Sequence, residues 1–267
     1  MKKAWIFARR NALETVRDPV LYIFCIGFPV AMLAMFQLIN HYTKGATPIF
    51  QLASLVPGVM MFSFTFVMLT MSLLVSRDKS TALLRRLYAA PMRSYHFVLG
   101  YALPATVIGI VQAFVCVGAG ALLAAITGAS YFSFGSALLL ILTQLPMLLF
   151  CVFLGILLGA LLNDKSAPGL TSVFITASGV LGGVWMPLES MGSFETFCRC
   201  LPFYPSVILG RIATGFSYTV SEGFCLVIIS YDFDRTARLG LIPIFLFLAA
   251  AIVLSFVLFR HQMKRDN

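Results

Sequence analysis

The chain has 267 residues, of which 60% are hydrophobic and 11% are charged, and its formal net charge is +9. A soluble domain carries about 25% charged residues, so this composition excludes a soluble globular protein and indicates a multi-pass membrane protein. The basic residues stand at the ends of apolar segments and form no continuous stripe, which argues against nucleic acid as a partner.

Residues 1–19 are predicted to form an amphipathic connecting helix that lies at the surface of the lipid bilayer. Its polar side carries Lys3, Arg10, Glu14 and Arg17. Its apolar side carries Trp5, Ile6, Ala8, Ala12, Leu13 and Val16. Pro19 discourages helix at Asp18, so the chain is expected to turn into the membrane there.

Residues 20–267 are predicted to form an all-α transmembrane domain with six spans. Each segment is apolar and long enough, or nearly so, to cross the hydrocarbon layer as a helix. The spans are predicted at residues 20–40, 54–76, 98–126, 134–162, 168–187 and 239–259. Pro29 is expected to kink the first of them. The predicted spans hold no Asp, Glu or His of the kind that proton or sodium coupling uses.

A short basic loop, residues 77–97, separates two long stretches that lack charged residues, 45–76 and 94–163. Within it Leu83, Leu84, Leu87 and Tyr88 share one face of a helix. Ser80 is expected to cap the start of this helix and Pro91 to end it. Two interpretations stay open: a basic loop held against lipid headgroups, or a docking helix whose apolar face a cytoplasmic partner covers.

Residues 188–238, between the fifth and sixth spans, are predicted to form a structured external region. Part of it could enter the membrane as helices, but a further span would have to bury Arg211 or Glu222, which is costly. A disulfide of Cys198 or Cys200 with Cys225 is left open.

Orientation follows from the basic residues. Fourteen of the nineteen lie in the N-terminal segment, the loop, the turn at Lys165 and the C-terminal tail. That side is predicted to be cytoplasmic, with both termini on it.

The sequence shows no motif of an enzyme. It lacks a phosphate-binding loop, a clustered Cys/His ligand set and a nucleophile motif, so we expect no catalytic residue and no metal site. Energy for any transport must then come from a separate polypeptide. The loop helix is the candidate binding site for that polypeptide.

Over nearly its whole length the chain resembles the permease subunit of type 2 ATP-binding-cassette exporters. The resemblance rests on Arg17-Asp18-Pro19 before Phe28-Pro29, on the loop 77–91, and on three later motifs at 163–168, 182–187 and 201–205. The loop departs from the family pattern, since Ser80-Thr81-Ala82-Leu83 stands where Gly-Thr-Leu-Glu is expected.

The resemblance implies a multi-pass protein of a bacterial inner or plasma membrane. Two permease copies, identical or paralogous, would work with two cytoplasmic ATPase subunits that bind ATP and Mg²⁺, while this chain holds no cofactor. The substrate would move outward by alternating access, and a drug-like or lipid-like amphipathic molecule is the first expectation. Open alternatives are export of a polysaccharide or lipid-linked glycan, a membrane interaction or immunity protein that transports nothing, and a secondary transporter.

The same resemblance assigns roles to three groups of residues. Coupling to the ATPase is expected from Arg77, Asp78, Leu83, Leu84, Arg85, Arg86, Leu87, Tyr88 and Pro91. The connecting helix would contribute Trp5, Arg9, Arg10, Arg17, Asp18 and Pro19. The substrate path would be lined by Phe62, Thr65, Phe66, Leu69, Thr70, Phe174, Ile175, Ser178 and Leu181.

Overall fold

The protein is described here by a computed structural model that covers residues 2–43, 48–81, 83, 94–188, 191–222, 225–230 and 233–265. Within these ranges the chain is a bundle of helices with one short hairpin. Five of the described helices are long and apolar enough to cross a membrane. The chain is therefore predominantly helical and multi-pass, as the composition predicts.

The connecting helix is present as α1 (Lys2–Arg17). It lies against the third span through four buried side chains, Phe7, Ala8, Asn11 and Thr15. Apart from Ala8, the apolar residues found by periodicity are not buried, and Trp5 and Ile6 among them are each 68% exposed. The helix thus presents one face to the bundle and an apolar face to its surroundings.

The first span is a continuous helical segment made of α2 (Pro19–Leu21), a π-helical turn (Tyr22–Gly27) and α3 (Phe28–Tyr42). The π-helical turn comes directly before Pro29, whose ring and missing N–H disturb the preceding turn of an α-helix. The kink at Pro29 stays a prediction, and the irregularity that the structure shows is the π-helical turn that ends at Gly27.

The second span is α4 (Leu52–Ser80), which follows a short 3₁₀ turn at Pro48–Phe50. It is the central helix, because 89% of its most apolar 18-residue stretch is buried inside the protein. The helix extends four residues beyond the predicted end at Ser76. The predicted cap at Ser80 is therefore wrong: Ser80 is the last residue of α4, and its hydroxyl donates to the carbonyl of Arg77 at 2.9 Å.

The third and fourth spans are α5 (Ser94–Thr127) and α6 (Phe134–Leu161). They agree with the predicted spans within four residues at each end. A tight turn joins them, with Gly128 in the left-handed region at φ +67°. The Ser133 side chain caps α6 by accepting from the backbone N–H of Ser136 at 3.3 Å.

The fifth predicted span contains only a short helix, α7 (Ala167–Leu181). Fifteen residues rise about 22 Å as an α-helix, less than the roughly 30 Å of the hydrocarbon layer. The chain then leaves the helix through a turn in which Gly183 takes φ +61°. Of the six predicted spans, this one is not matched by a spanning helix.

The region after α7 contains two short helices, a hairpin and a long last helix. The helices are α8 (Ser193–Arg199) and α9 (Phe203–Ala213). The hairpin pairs β1 (Ser217–Glu222) antiparallel with β2 (Cys225–Ser230). The last span lies within α10 (Phe233–Arg265), which is longer than the predicted segment 239–259.

Helix α9 packs into the bundle against α4, α6 and α10. Gln144 of α6 and Ser206 of α9 are joined by two hydrogen bonds, of 2.7 and 2.8 Å. Arg211 on this helix is 0% exposed, and its Nη2 donates to the carbonyl of Gly183 at 2.9 Å. Arg211 is therefore buried although α9 is too short to be a further span, and the backbone carbonyl supplies the polar partner that lowers the cost of burying it.

Two glycines on α6 set its close contact with α4. A Cβ atom at Gly155 would lie 2.5 Å from the carbonyl oxygen of Met68, and one at Gly159 would lie 2.7 Å from that of Ser72. Only glycine lets the two backbones approach this closely. The spacing Gly155–Gly159 therefore serves packing.

Five cysteines among the described side chains are free thiols: Cys25, Cys116, Cys151, Cys198 and Cys200. The side chain of Cys225 lies outside the described part of the chain.

Candidate coupling site

The last turn of α4 contains a buried carboxylate, Asp78, which is 2% exposed. Arg10 of α1 donates to both of its oxygens, from Nη1 at 2.6 Å and from Nη2 at 2.9 Å. The hydroxyl of Tyr101 on α5 donates to the same carboxylate at 2.6 Å. A bidentate arginine–carboxylate pair fixes both distance and orientation, so Asp78 joins α4 to α1 and α5.

The contact between α1 and α5 supports this ion pair. Arg10 also donates to the side-chain oxygen of Asn11 at 2.8 Å, and Asn11 donates to the carbonyl of Gly100 at 3.1 Å. A side chain at Gly100 would collide with the ring of Phe7, which meets the ring of Tyr101 edge-on at 5.0 Å. The glycine thus lets α1 approach α5 closely enough for Arg10 to reach Asp78.

The electrostatics of Arg10 match this geometry. Burial alone would lower its pKa, but the hydrogen bonds and charge of Asp78, together with Glu14, outweigh burial and raise the pKa above its ordinary value. Arginine is already charged at any physiological pH, so the raised pKa leaves the charge of Arg10 unchanged.

The next residue, Lys79, bonds the same turn of α4 to a fourth helix. Its Nζ lies 3.0 Å from the carbonyl oxygen of Ala160 and 3.4 Å from those of Leu161 and Leu162. These carbonyls end α6 and have no partner within the helix, and a cation there is also favoured by the helix dipole. Gln262 of α10 donates to the Ala160 carbonyl at 2.8 Å.

Together Arg10, Asp78, Lys79 and Tyr101 form what we call the α4 joint. Two consecutive side chains at the end of α4 bond that helix to α1, α5 and α6, immediately before the basic loop begins. The α4 joint therefore connects four helices at the start of the loop. The contacts also bring together four segments that the charge count places on one side: the N-terminal helix, the loop, the turn after α6 and the C-terminal end.

A family model described as ABC-2 type transporter matches residues 2–207, more than half of the chain. The chain belongs to the ABC-2 type transporter family. A comparison with curated proteins finds no match. Membership makes the chain a transmembrane permease of an ABC transporter, a transport subunit that works with an ATP-binding-cassette ATPase. The matched residues include α1 and the whole α4 joint.

The predicted coupling residues of this ABC-2 permease divide into two groups. Arg77 is exposed, Asp78 is buried and Leu83 is half-buried. The rest of that group, Leu84, Arg85, Arg86, Leu87, Tyr88 and Pro91, lies outside the described residues. Asp78 faces inward, so its contribution to coupling would run through Arg10 and Tyr101 rather than through contact with the ATPase.

The residues predicted for the connecting helix lie mostly on its outer side. Trp5, Arg9, Arg17 and Pro19 are exposed, and Asp18 is half-buried. Arg10 is the member of this group that reaches the joint.

The predicted substrate-path residues of the permease are largely packed within the single chain. Thr65, Thr70 and Ser178 are buried, and their hydroxyls donate to carbonyls of their own helices at 2.6, 2.9 and 2.7 Å. Leu69, Phe174, Ile175 and Leu181 are half-buried against the main core. The hydroxyls predicted to face an amphipathic substrate are thus engaged with backbone, and the role of these residues stays a prediction.

Phe62 and Phe66 belong to a larger group of aromatic rings. Phe66 contacts Phe28 at a centroid distance of 4.9 Å, and Phe62 contacts Trp185 at 5.0 Å. The aromatic cluster comprises Phe24, Phe28, Phe36, Phe62, Phe66 and Trp185, from α3, the π-helical turn, α4 and the turn after α7.

Sequence reasoning missed the roles of Asn11, Lys79 and Tyr101. One signal in the sequence pointed to an ion pair at Asp78. This residue is the single acid in the basic loop, and a lone carboxylate among basic residues favours an arginine or lysine partner. Which of the many arginines would pair with it depends on how α1 lies on α5, which spacing along the chain does not encode.

Proposed function

We propose that this permease is the membrane half of an ATP-driven exporter that moves an amphipathic, drug-like or lipid-like substrate outward. One observation carries the proposal. The turn of α4 from which the basic loop continues is bonded to α1 and α5 through Asp78 and to α6 through Lys79. A helix end fixed in this way transmits a push on the loop to the spans.

The proposed mechanism begins on the ATPase, which binds ATP and Mg²⁺. Closure of the ATPase subunits would displace the loop helix and, through the α4 joint, the adjoining ends of α1, α5 and α6. Packed helices respond to such a push by moving as rigid bodies, because close-packed interfaces have few intermediate arrangements. The permease would thereby switch from inward to outward access.

The substrate path is proposed to form between two permease copies, each contributing α4 and α7. Leu170 and Val173 on α7 are 40% and 62% exposed, so this helix has an apolar face available to a second copy. Phe174, Ile175 and Leu181 of the same helix are half-buried, and the ring of Phe62 lies next to Gly179 of α7. In a bacterial inner membrane this arrangement would release the substrate to the outer side.

The aromatic cluster supports a second candidate, export of a polysaccharide or lipid-linked glycan. The six rings are linked by pairwise contacts and have flat apolar faces. Sugar rings pack on faces of this kind. The two candidates share the coupling mechanism and differ in the cargo. A third hypothesis is that the protein is a membrane interaction or immunity protein. This hypothesis requires no ATPase at the loop.

The experiment that tests coupling at the loop is co-purification. We expect the permease, extracted in detergent together with a candidate ATP-binding-cassette ATPase, to retain that ATPase in stoichiometric amount. The double substitution Leu84→Asp/Leu87→Asp should reduce the retained ATPase at least tenfold, because it places two charges on the predicted docking face. Quantitative gel densitometry gives the ratio.

Phe134→Asp is the matched control. Phe134 is 87% exposed and begins α6, whose other end is at the α4 joint about 42 Å away by helix rise. The control should retain the ATPase. An ATPase that stays bound to the loop variant would contradict coupling at the loop. A permease that purifies alone would also contradict it and would favour the hypothesis of an interaction protein.

A further inference from the structure

A groove of about 660 Å³ opens beside the α4 joint, between the last turns of α1, the start of the first span and the end of α4. Its charged lining comes from Arg10, Glu14, Arg17, Asp18 and Arg77, and its apolar lining from Leu13 and Pro19. The volume lies within the range of small-molecule sites.

The position of the groove places it at the level of lipid headgroups. Asp18 and Pro19 mark the point where the interfacial helix α1 turns into the first span. Leu13 is 50% exposed on the same side. An amphipathic helix of this kind lies at the boundary between headgroups and acyl chains. The groove is therefore open to a headgroup with the beginning of its acyl chains, rather than to a freely soluble ligand alone.

The charges of the groove are of both signs and nearly balanced. Arg17 and Arg77 are exposed, so their guanidinium groups are accessible to a phosphate. Glu14 is half-buried and pairs with Arg10, which is itself engaged by Asp78. A carboxylate can accept several hydrogen bonds, so Glu14 and Asp18 can also receive N–H donors from a ligand. A purely anionic headgroup would meet these two carboxylates unfavourably.

We propose that the groove binds a zwitterionic headgroup that bears a primary ammonium, the chemistry of phosphatidylethanolamine. The phosphate would lie between Arg17 and Arg77, and the ammonium would donate to Glu14 and Asp18. The glycerol and first methylenes would lie against Leu13 and Pro19. Because Arg77 directly precedes Asp78, lipid at this site would stabilise the end of α4.

Native mass spectrometry of the purified full-length permease tests the proposal. Phosphatidylethanolamine and phosphatidylcholine with identical acyl chains are added separately in detergent; the two share the phosphate and the net charge, but the second has no N–H donors. We expect about a fivefold preference for phosphatidylethanolamine, the size expected from one hydrogen bond of ordinary net strength. Glu14→Gln/Asp18→Asn should abolish the preference, because these two carboxylates accept the N–H donors that phosphatidylcholine lacks.

Arg9→Gln is the matched control, since Arg9 is exposed on α1 but does not line the groove; it should keep the preference. Glycerophosphoethanolamine without acyl chains should compete poorly if the ligand is a lipid, and competition as strong as by the lipid would contradict a lipid ligand. Equal binding of phosphatidylcholine, or stronger binding of phosphatidylglycerol, would overturn the headgroup assignment. Loss of the ATPase from the double variant with unchanged lipid preference would assign the groove to the ATPase and also overturn it.

Discussion

Replacing Asp78 with alanine is expected to destabilise the permease by about 2–4 kcal/mol. The change removes the acceptor of the buried Tyr101 hydroxyl, at a cost of about 1–3 kcal/mol. It also breaks the ion pair with Arg10. Loss of one partner of a fully buried pair costs about 3–5 kcal/mol, but the Arg10 side chain is 38% exposed and can be hydrated, so its share is smaller. Unfolding by sodium dodecyl sulfate, followed by circular dichroism, measures the difference.

A double-mutant cycle separates the ion pair from the rest of the change. Arg10→Ala and Asp78→Ala combined should destabilise less than the sum of the two single variants, by about 1–2 kcal/mol, because the residues are in direct contact. Tyr101→Phe isolates the hydroxyl. Arg9→Ala, an exposed neighbour on α1, should change stability by less than about 0.5 kcal/mol. Strict additivity of the two single variants would show that the pair adds nothing.

Replacing Gly155 with leucine is expected to prevent assembly of the bundle. A Cβ atom there would lie 2.5 Å from the carbonyl oxygen and 2.9 Å from the Cα of Met68, so the backbone of α4 itself would have to move. Overpacking a core costs about 1–3 kcal/mol when side chains can adjust, and a blocked backbone contact costs more. Gly155→Ala should already lower stability by about 2 kcal/mol in the same unfolding assay.

Gly118→Ala on α5 is the control for this change, because no atom lies within 4 Å of the added Cβ. It should leave stability unchanged or raise it by up to about 1 kcal/mol, through the better helix propensity of alanine. Wild-type stability of Gly155→Ala would mean that α4 and α6 are not in backbone contact. The close contact matters for coupling, since α4 and α6 could then move as one body.

Five of the six predicted spans are matched by long helices, because each depends on one local property, a long run of apolar residues. The C-terminal end of α4 could not be predicted in this way. Arg77, Asp78 and Lys79 mark the end of an apolar run, yet the helix continues because Asp78 and Lys79 find partners on other helices. Hydropathy detects where a chain leaves hydrocarbon, not where its backbone stops being helical.

The buried face of α1 and the burial of Arg211 were missed for a related reason. Apart from Ala8, the apolar residues of α1 found by periodicity are not buried, because the helix packs on the bundle through a face that also contains the polar Asn11 and Thr15. Burying an arginine is costly when it has no hydrogen-bond acceptor. The turn after α7 brings the carbonyl of Gly183 to Arg211 as an acceptor. Both outcomes depend on contacts between residues far apart in the chain.

Hydrogen–deuterium exchange of the permease–ATPase complex tests most directly whether the α4 joint transmits the motion of the ATPase. The complex is compared without nucleotide and with ADP and vanadate trapped after hydrolysis of ATP, as wild type and as Asp78→Asn/Lys79→Gln. In wild type, ATP should change exchange in peptides covering 94–101 and 155–166, where α5 and α6 meet the joint. In the double variant the ATPase should still bind and hydrolyse ATP, and these changes should be lost. Unaltered ATP-dependent changes in the double variant would contradict transmission through the joint.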